Sequence, residues 1–255
     1  MSNISYLGIK TIISYEVSNY FREYQFNIIA PLINTILFVF IISTINRYYS
    51  LYNNSDSYMN FLVPGIVIAV VIQTSFNHLS EIIINMKQIG SFNDYLSSPM
   101  SRIELYFGFI ISSVFVSFII GIINLSILSL FADFHHINFI NLFYYLIICI
   151  LIFSSLGALT GFLFFTWDLQ STISSFFIVP LSFLSGTFFS IDVIDKKFLF
   201  MFEYNPVYYL VSGFRSSFYH NYEIKYYINI LLLLFTMSVI ICCIYVFKKG
   251  YRVIN

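Results

Sequence analysis

ILFVFII, residues 36–42, is apolar on every side of a helix. The run lies inside a longer stretch, 24–46, that contains no Asp, Glu, Lys or Arg. A helix needs about 20 predominantly apolar residues to cross a bilayer. A strand of a membrane β-barrel would instead alternate apolar and polar residues. The stretch therefore predicts a membrane-spanning helix.

Further charge-free stretches follow along the 255-residue chain, at 57–80, 105–132, 134–167, 169–191 and 226–247. Only 9% of all residues are charged, against about 25% in soluble domains. A charge at the bilayer centre costs about 2.5–3.5 kcal/mol. The uncharged stretches are therefore the segments that we expect to lie in the lipid bilayer. We predict one all-α transmembrane domain over 1–255, core about 22–250, with six spans at about 27–46, 60–80, 105–130, 140–165, 171–189 and 227–247.

Residues 4–24 predict an amphipathic helix on the membrane surface. Its apolar face carries Ile13, Val17, Tyr20, Phe21 and Tyr24, and its polar face carries Glu16, Asn19, Arg22 and Glu23. A soluble N-terminal helix packed on another subunit is the alternative interpretation.

Six spans place both termini on one side of the membrane. That side has seven basic residues, Lys10, Arg22, Lys87, Arg102, Lys248, Lys249 and Arg252. The other side has five, Arg47, Lys196, Lys197, Arg215 and Lys225. Because cytoplasmic loops carry the excess of Lys and Arg, we expect cytoplasmic termini. Asn54 and His136 should then face outside, and Ser97 and Asp168 the cytoplasm.

The segment 190–225 is too interrupted by charges to span a bilayer, yet it contains short apolar pieces. This pattern predicts short re-entrant or interfacial helices on the outer side, separated at Asn205–Pro206. Neutral polar residues inside the spans, such as Asn77 and His78, are expected to hydrogen-bond between helices. GALTG, 157–161, favours close helix packing, within one subunit or between two.

No catalytic, metal-binding or cofactor-binding motif is present, so we expect a protein that is not an enzyme. No glycine is followed by lysine, so a phosphate loop of the Gly-x-x-x-x-Gly-Lys type is absent. If ATP drives this protein, another chain binds it.

Four stretches resemble permeases of the ABC-2 type, in order along the whole chain. They are YMNFLVPGIVI at 58–68, GSFNDYLSSPMSR at 90–102, VPLSFLSGTFFSI at 179–191 and NPVYYLVSGFR at 205–215. The second resembles the family's cytoplasmic loop, although Asn93 stands where an acid is common and Asp94 follows it.

The resemblance implies the permease subunit of an exporter in the bacterial inner membrane, driven by a separate cytoplasmic ATPase. It implies a homodimer in contact with lipids, no nucleic acid, and ATP bound only by the partner. The implied coupling-loop residues are Gly90, Phe92, Asn93, Asp94, Tyr95, Leu96 and Pro99. The implied outer-segment residues are Asn205, Pro206, Gly213, Phe214 and Arg215.

Within the loop 86–102, Pro99 disfavours helical geometry at Ser98, which predicts a short helix ending there. Phe92 and Tyr95 lie three residues apart, so they share one helix face, and we expect them to anchor the ATPase. Two alternatives remain open. One is a secondary transporter or channel without an ATPase, and the other is a membrane-bound lipid-modifying enzyme.

Overall fold

The structure, a computed structural model, describes residues 6–53, 58–134, 136–189, 194–219 and 225–249. Within these ranges the backbone forms helices and turns but no β-strand. The predicted all-α class is therefore confirmed for the part of the chain that is described. Asn54, which we predicted to face outside, falls outside these ranges.

Among the described residues, six helices of seventeen or more residues form the body of the protein. They are α1 (Tyr6–Arg22), α2 (Ala30–Asn53), α3 (Tyr58–Ile89), α5 (Arg102–Leu128), α6 (Phe139–Leu163) and α11 (Tyr226–Lys249). Shorter helices connect them: α4 (Phe92–Ser97), α7 (Trp167–Ile173), α8 (Val179–Phe183), α9 (Leu199–Glu203) and α10 (Pro206–Ser216).

Among the described residues, five helical stretches are long and apolar enough to cross a membrane. They are Gln25–Asn46, Tyr58–Ile89, Arg102–Phe131, Phe139–Leu163 and Tyr226–Lys249. The predicted fifth span, 171–189, overlaps α7, a π-helical turn at Ser174–Ile178, and α8, a run that is not among these five stretches. At about 1.5 Å per residue, this run over 167–183 is about 25 Å long. It ends before a turn in which Gly186 adopts a positive φ of 76°.

Two helices continue past the ends of the predicted apolar spans. The loop expected at 47–57 is helical as far as Asn53. The second span, expected to end near 80, continues to Ile89. Hydropathy records which residues avoid water, whereas a helix ends only where its backbone hydrogen bonds find other partners.

Helix α3 forms the centre of the molecule and packs most closely on α6. A Cβ atom at Gly157 would overlap the backbone oxygen of Phe76, and one at Gly161 would lie 2.8 Å from Cβ of Ile83. The glycines of GALTG therefore bring two helices of the same chain together. Asn77 makes the predicted interhelical bonds, since its Oδ1 accepts from Gln170 and Ser174 at 3.1 and 3.0 Å.

Hydrogen bonds define two ends of this bundle. At the end where α3 begins, Asn60 exchanges two bonds with the backbone of Asp133, beyond α5. At the opposite end, Lys87 donates to the carbonyl of Phe162 at 2.6 Å, and Arg102 donates to that of Lys248 at 2.7 Å. We call the first the α10 end and the second the α4 end, after the short helices that lie there.

Candidate functional site

Helix α4 is a single short turn of helix held between two long ones. Gly90 adopts a positive φ of 84°, which lets the chain reverse directly after α3. Ser98 is extended, with ψ of 157°, before Pro99, so the predicted short helix and its predicted end are confirmed. Ser101 and Glu104 then form a reciprocal capping box that starts α5.

Aromatic packing fixes α4 to the body of the protein. The ring of Phe92 lies 6.4 Å from that of Phe162 and 6.3 Å from that of Phe247. Those two rings stack on each other at 4.4 Å. One turn along, Tyr95 lies 5.9 Å from Phe109 of α5. The helix therefore cannot tilt without disturbing α5, α6 and α11.

The buried position of Phe92 corrects the predicted role of this residue. Its side chain is only 3% exposed, so it cannot present its ring to a partner as we expected. Tyr95 and Leu96 are half-buried in the same cluster. The exposed predicted residues are Gly90, Asn93, Asp94 and Pro99, together with Ser97. The sequence identified the face that Phe92 and Tyr95 share, but the body of the chain covers it.

The outer-segment residues gather at the α10 end. Asn205 accepts a hydrogen bond from the backbone of Val207 at 2.9 Å and caps α10, with Pro206 in its first turn. Gly213 faces the ring of Tyr145 so closely that a Cβ atom there would overlap the ring. Phe214 is fully buried beside Phe218. Short helices thus lie on either side of Asn205–Pro206, as predicted.

Arg215 joins three parts of the chain at this end. Its Nε donates to the carbonyl of Phe61 at 3.1 Å, and its Nη2 donates to that of Gly186 at 2.9 Å. The guanidinium also lies 3.5 Å from the centre of the Phe61 ring, a favourable cation–π geometry. The side chain is only 5% exposed, but its charge is compensated because its donors are directed at backbone oxygens. Arg215 therefore fixes α10 to α3 and to the Gly186 turn.

A polar cavity at the α4 end brings together residues that sequence reasoning did not connect. It has a volume of about 470 Å³ and lies between α1, the last turns of α3, and α4. Glu16, His78, Glu81 and Tyr95 are among its lining residues. The burial of Glu16 could have been predicted from its spacing to Ile12, because residues four apart lie one above the other on the same helix face.

The burial of Glu16 corrects our assignment of the faces of α1. Glu16 and Ile12 are both 5% exposed, and Ile12 lies against Gly108 of α5. Helix α1 thus packs on its own chain. Burial raises the pKa of Glu16 to about 7, because a carboxylate loses its hydration there. Burial, with the nearby Glu16 and Tyr15, also raises the pKa of Tyr95 to about 12.

The fold and these sites define an all-helical protein of several membrane-spanning helices, with a short helix locked into one end of the bundle and a buried arginine in the other. A comparison with protein families then gives the particular group. The family described as "ABC-2 type transporter" matches residues 8–219. The chain belongs to this family, and the family prediction made from four sequence stretches is confirmed.

Two curated relatives place the chain beside bacterial permeases. The "Inner membrane transport permease YadH" of Escherichia coli (strain K12) is 24% identical over 218 residues. The alignment covers 86% of this chain and 85% of that protein. The protein of the same description from Shigella flexneri matches with the same identity and coverage. The similarity thus extends over nearly the whole length of both proteins.

Proposed function

We propose that this chain is the permease subunit of an ATP-driven exporter in the bacterial inner membrane, with both termini in the cytoplasm. A separate ATPase subunit drives it, and two copies of the chain enclose the pathway. The proposal includes six spans, of which the run over 167–183 forms the fifth along the chain, and outer re-entrant helices at 196–216. The family match supports the transport role, and the description of the YadH relatives supports the membrane.

The observation that carries this proposal is the two-sided construction of α4. Phe92 and Tyr95 fix one side into the bundle, while Asn93, Asp94 and Ser97 lie exposed on the other. A partner that pushes on this exposed side moves α5, α6 and α11 with it, because the aromatic contacts leave α4 little freedom. A helix of this construction is suited to receive force from a cytoplasmic subunit.

The absence of a Gly-Lys pair anywhere in the sequence supports assigning ATP to the partner. ATP hydrolysis then takes place outside this chain, which supplies the pathway and the docking surface. The alternative of a secondary transporter would leave the exposed side of α4 without a function.

The first span supports the homodimer. Only 6% of its most apolar window is buried inside the chain, and its exposed residues include Ile33, Leu37 and Ile41. Lipids and a second copy would share this surface. Cysteine pairs introduced at these positions should crosslink two copies in native membranes.

Charge reversal on α4 tests the coupling role. Asp94→Lys changes an exposed side chain in the first turn of α4, so the bundle should fold normally. We expect co-purification of the ATPase to fall at least tenfold, with transport lost in proportion. The matched control is Asp195→Lys, also exposed but near the α10 end. Unchanged co-purification and transport in Asp94→Lys would refute the docking surface.

A further inference from the structure

Two residues that line the cavity between α1, α3 and α4 carry buried polar atoms that have no hydrogen-bond partner. Glu16 Oε1 and both ring nitrogens of His78 are such atoms, in side chains that are 5% and 4% exposed. Leaving a buried polar group unpaired costs about 1–3 kcal/mol, and more when it is charged. The two side chains that carry these atoms line one cavity, so a ligand bound there is the group that would satisfy them.

The charges around the cavity indicate the sign of this ligand. Three carboxylates, Glu16, Glu23 and Glu81, line it against a single guanidinium, Arg22. Glu16 and Glu81 reach the cavity from different helices, α1 and α3. A cation bound between the two helices would compensate both carboxylates at once.

The aromatic lining indicates that the cation is organic. Tyr15, Tyr20, Tyr95 and Trp167 all line the cavity, and the ring of Tyr20 stands edge-on to that of His78 at 4.9 Å. Aromatic faces attract ammonium groups and also accept an apolar body. Within the described residues, no group of three or more His, Cys, Asp and Glu side chains converges as a metal site. The volume of about 470 Å³ suits a small molecule.

We propose that this cavity binds the primary ammonium group of a small organic amine, held between Glu16 and Glu81, with its apolar body against the tyrosines. The ammonium has three N–H donors, and the unpaired Oε1 of Glu16 is one acceptor that awaits them. Binding is a property of this chain alone, so it does not depend on the proposed ATPase or on transport.

The chain carries its own reporter for this binding. Trp167 is its only tryptophan and lines the cavity. The experiment titrates cyclohexylmethylammonium into the full-length protein in a neutral maltoside detergent at pH 8, following Trp167 fluorescence. Cyclohexylmethanol, which has the same body without the charge, is the matched ligand. We expect saturable binding of the amine, at least tenfold tighter than that of the alcohol.

Two variants and one control complete the design. Glu16→Gln and Glu81→Gln preserve side-chain size, and each should weaken amine binding at least tenfold. Asp168→Asn removes an exposed carboxylate beside Trp167 that does not line the cavity, and it should bind as the unmodified protein does. Thermal unfolding of each variant confirms that it is folded.

The outcomes separate the sources of the ammonium group. If added phosphatidylethanolamine abolishes the amine signal, the natural ligand is a lipid headgroup; an unchanged signal assigns the cavity to a free amine. Equal affinity for the amine and the alcohol would overturn the proposal, as would unchanged amine binding in both glutamine variants. Neither result would affect the proposed docking of an ATPase on α4.

Discussion

The two ends of the bundle use their charged groups differently. At the α10 end, the guanidinium of Arg215 is buried, and its donors meet carbonyls from two other segments. At the α4 end, Lys87 and Arg102 cap the ends of α6 and α11, but Glu16 Oε1 and the ring nitrogens of His78 remain buried without hydrogen bonds. The α10 end thus pairs its buried charge, although the hydroxyls of Ser212 and Ser217 have no partner there, whereas the α4 end leaves an ionisable carboxyl oxygen and an imidazole unpaired.

This difference teaches where to look for function in a chain with few charges. Buried charges are expensive unless they are paired, so most are used to hold the fold together. Arg215 has this use, and nothing about its contacts requires a ligand. The unpaired atoms at the α4 end lower the stability of the isolated chain. Such a loss of stability is expected at a binding site, because function and stability often trade against each other.

The largest expected effect breaks the α10 end. Arg215→Leu removes the donors to the carbonyls of Phe61 and Gly186 and the cation–π contact. We expect a loss of about 4 kcal/mol in the free energy of unfolding, summed from two hydrogen bonds donated by a buried charged group and that contact. Unfolding by sodium dodecyl sulfate in mixed micelles measures it.

The matched change at the α4 end is Arg102→Leu. This side chain is exposed, so water replaces its bonds to α11 and the loss should stay within about 1 kcal/mol. Equal losses for Arg102→Leu and Arg215→Leu would contradict the contrast drawn between the two ends.

A second prediction concerns the anchor of α4. Phe92→Ala removes the ring packed against the stacked rings of Phe162 and Phe247, and such truncations cost about 3–5 kcal/mol in cores. We expect about 3 kcal/mol, since α4 lies at the end of the bundle and can partly collapse into the space. Hydrogen exchange of the α4 amides should accelerate at the same time.

Ser97→Ala is the control for this change because Ser97 is exposed on the opposite side of α4. Its amide exchange should match that of the unmodified protein. If Phe92→Ala leaves the exchange of α4 unchanged, the aromatic anchor is not what holds this helix.

A third prediction uses pH. The pKa of Glu16 is raised to about 7 from an ordinary value of 4.5, so between these values the folded chain holds a proton that the unfolded chain releases. Stability therefore falls as pH rises through this window. Without amine, Glu16→Gln should stabilise the protein by about 2 kcal/mol at pH 8, below the roughly 3 kcal/mol of the full shift.

Near pH 4.5 the same substitution should change stability little, because Glu16 is protonated in the folded chain. Glu16 shares the cavity with His78 and Glu81 of α3, Tyr95 of α4, and Tyr15 and Arg22 of α1. The midpoint of the pH dependence therefore reports on the whole group. Thermal unfolding of both proteins from pH 5 to pH 8 measures the difference. A difference that is independent of pH would show that Glu16 is not the titrating residue.

The smallest expected effect on stability belongs to Asp94→Lys. An exposed substitution away from packing contacts changes the free energy of unfolding by less than about 0.5 kcal/mol. Its effect on the proposed ATPase interaction should nevertheless be large, so stability and partner binding separate at this residue. A strongly destabilised Asp94→Lys would show that the exposed side of α4 also supports the fold.

Much of the architecture could be predicted from individual residues. The charge-free stretches located five helices that can span a membrane. Pro99 predicted the end of α4, and Asn205–Pro206 predicted the start of α10. These signals are local, because proline geometry and backbone capping act within a few residues. The candidate site was predicted only in part, since Phe92 lies inside the bundle rather than on a docking surface.

The sequence by itself determined that the chain lies in a membrane, that it is helical and which family it belongs to. These properties depend on composition, on uninterrupted apolar length and on ordered motifs. Only the tertiary structure decided which helix faces are covered. Phe92 meets Phe247 from 155 positions away, and the cavity joins Glu16 of α1 to His78 and Glu81 of α3. Periodicity describes one helix at a time, whereas burial depends on which distant helix packs against each face.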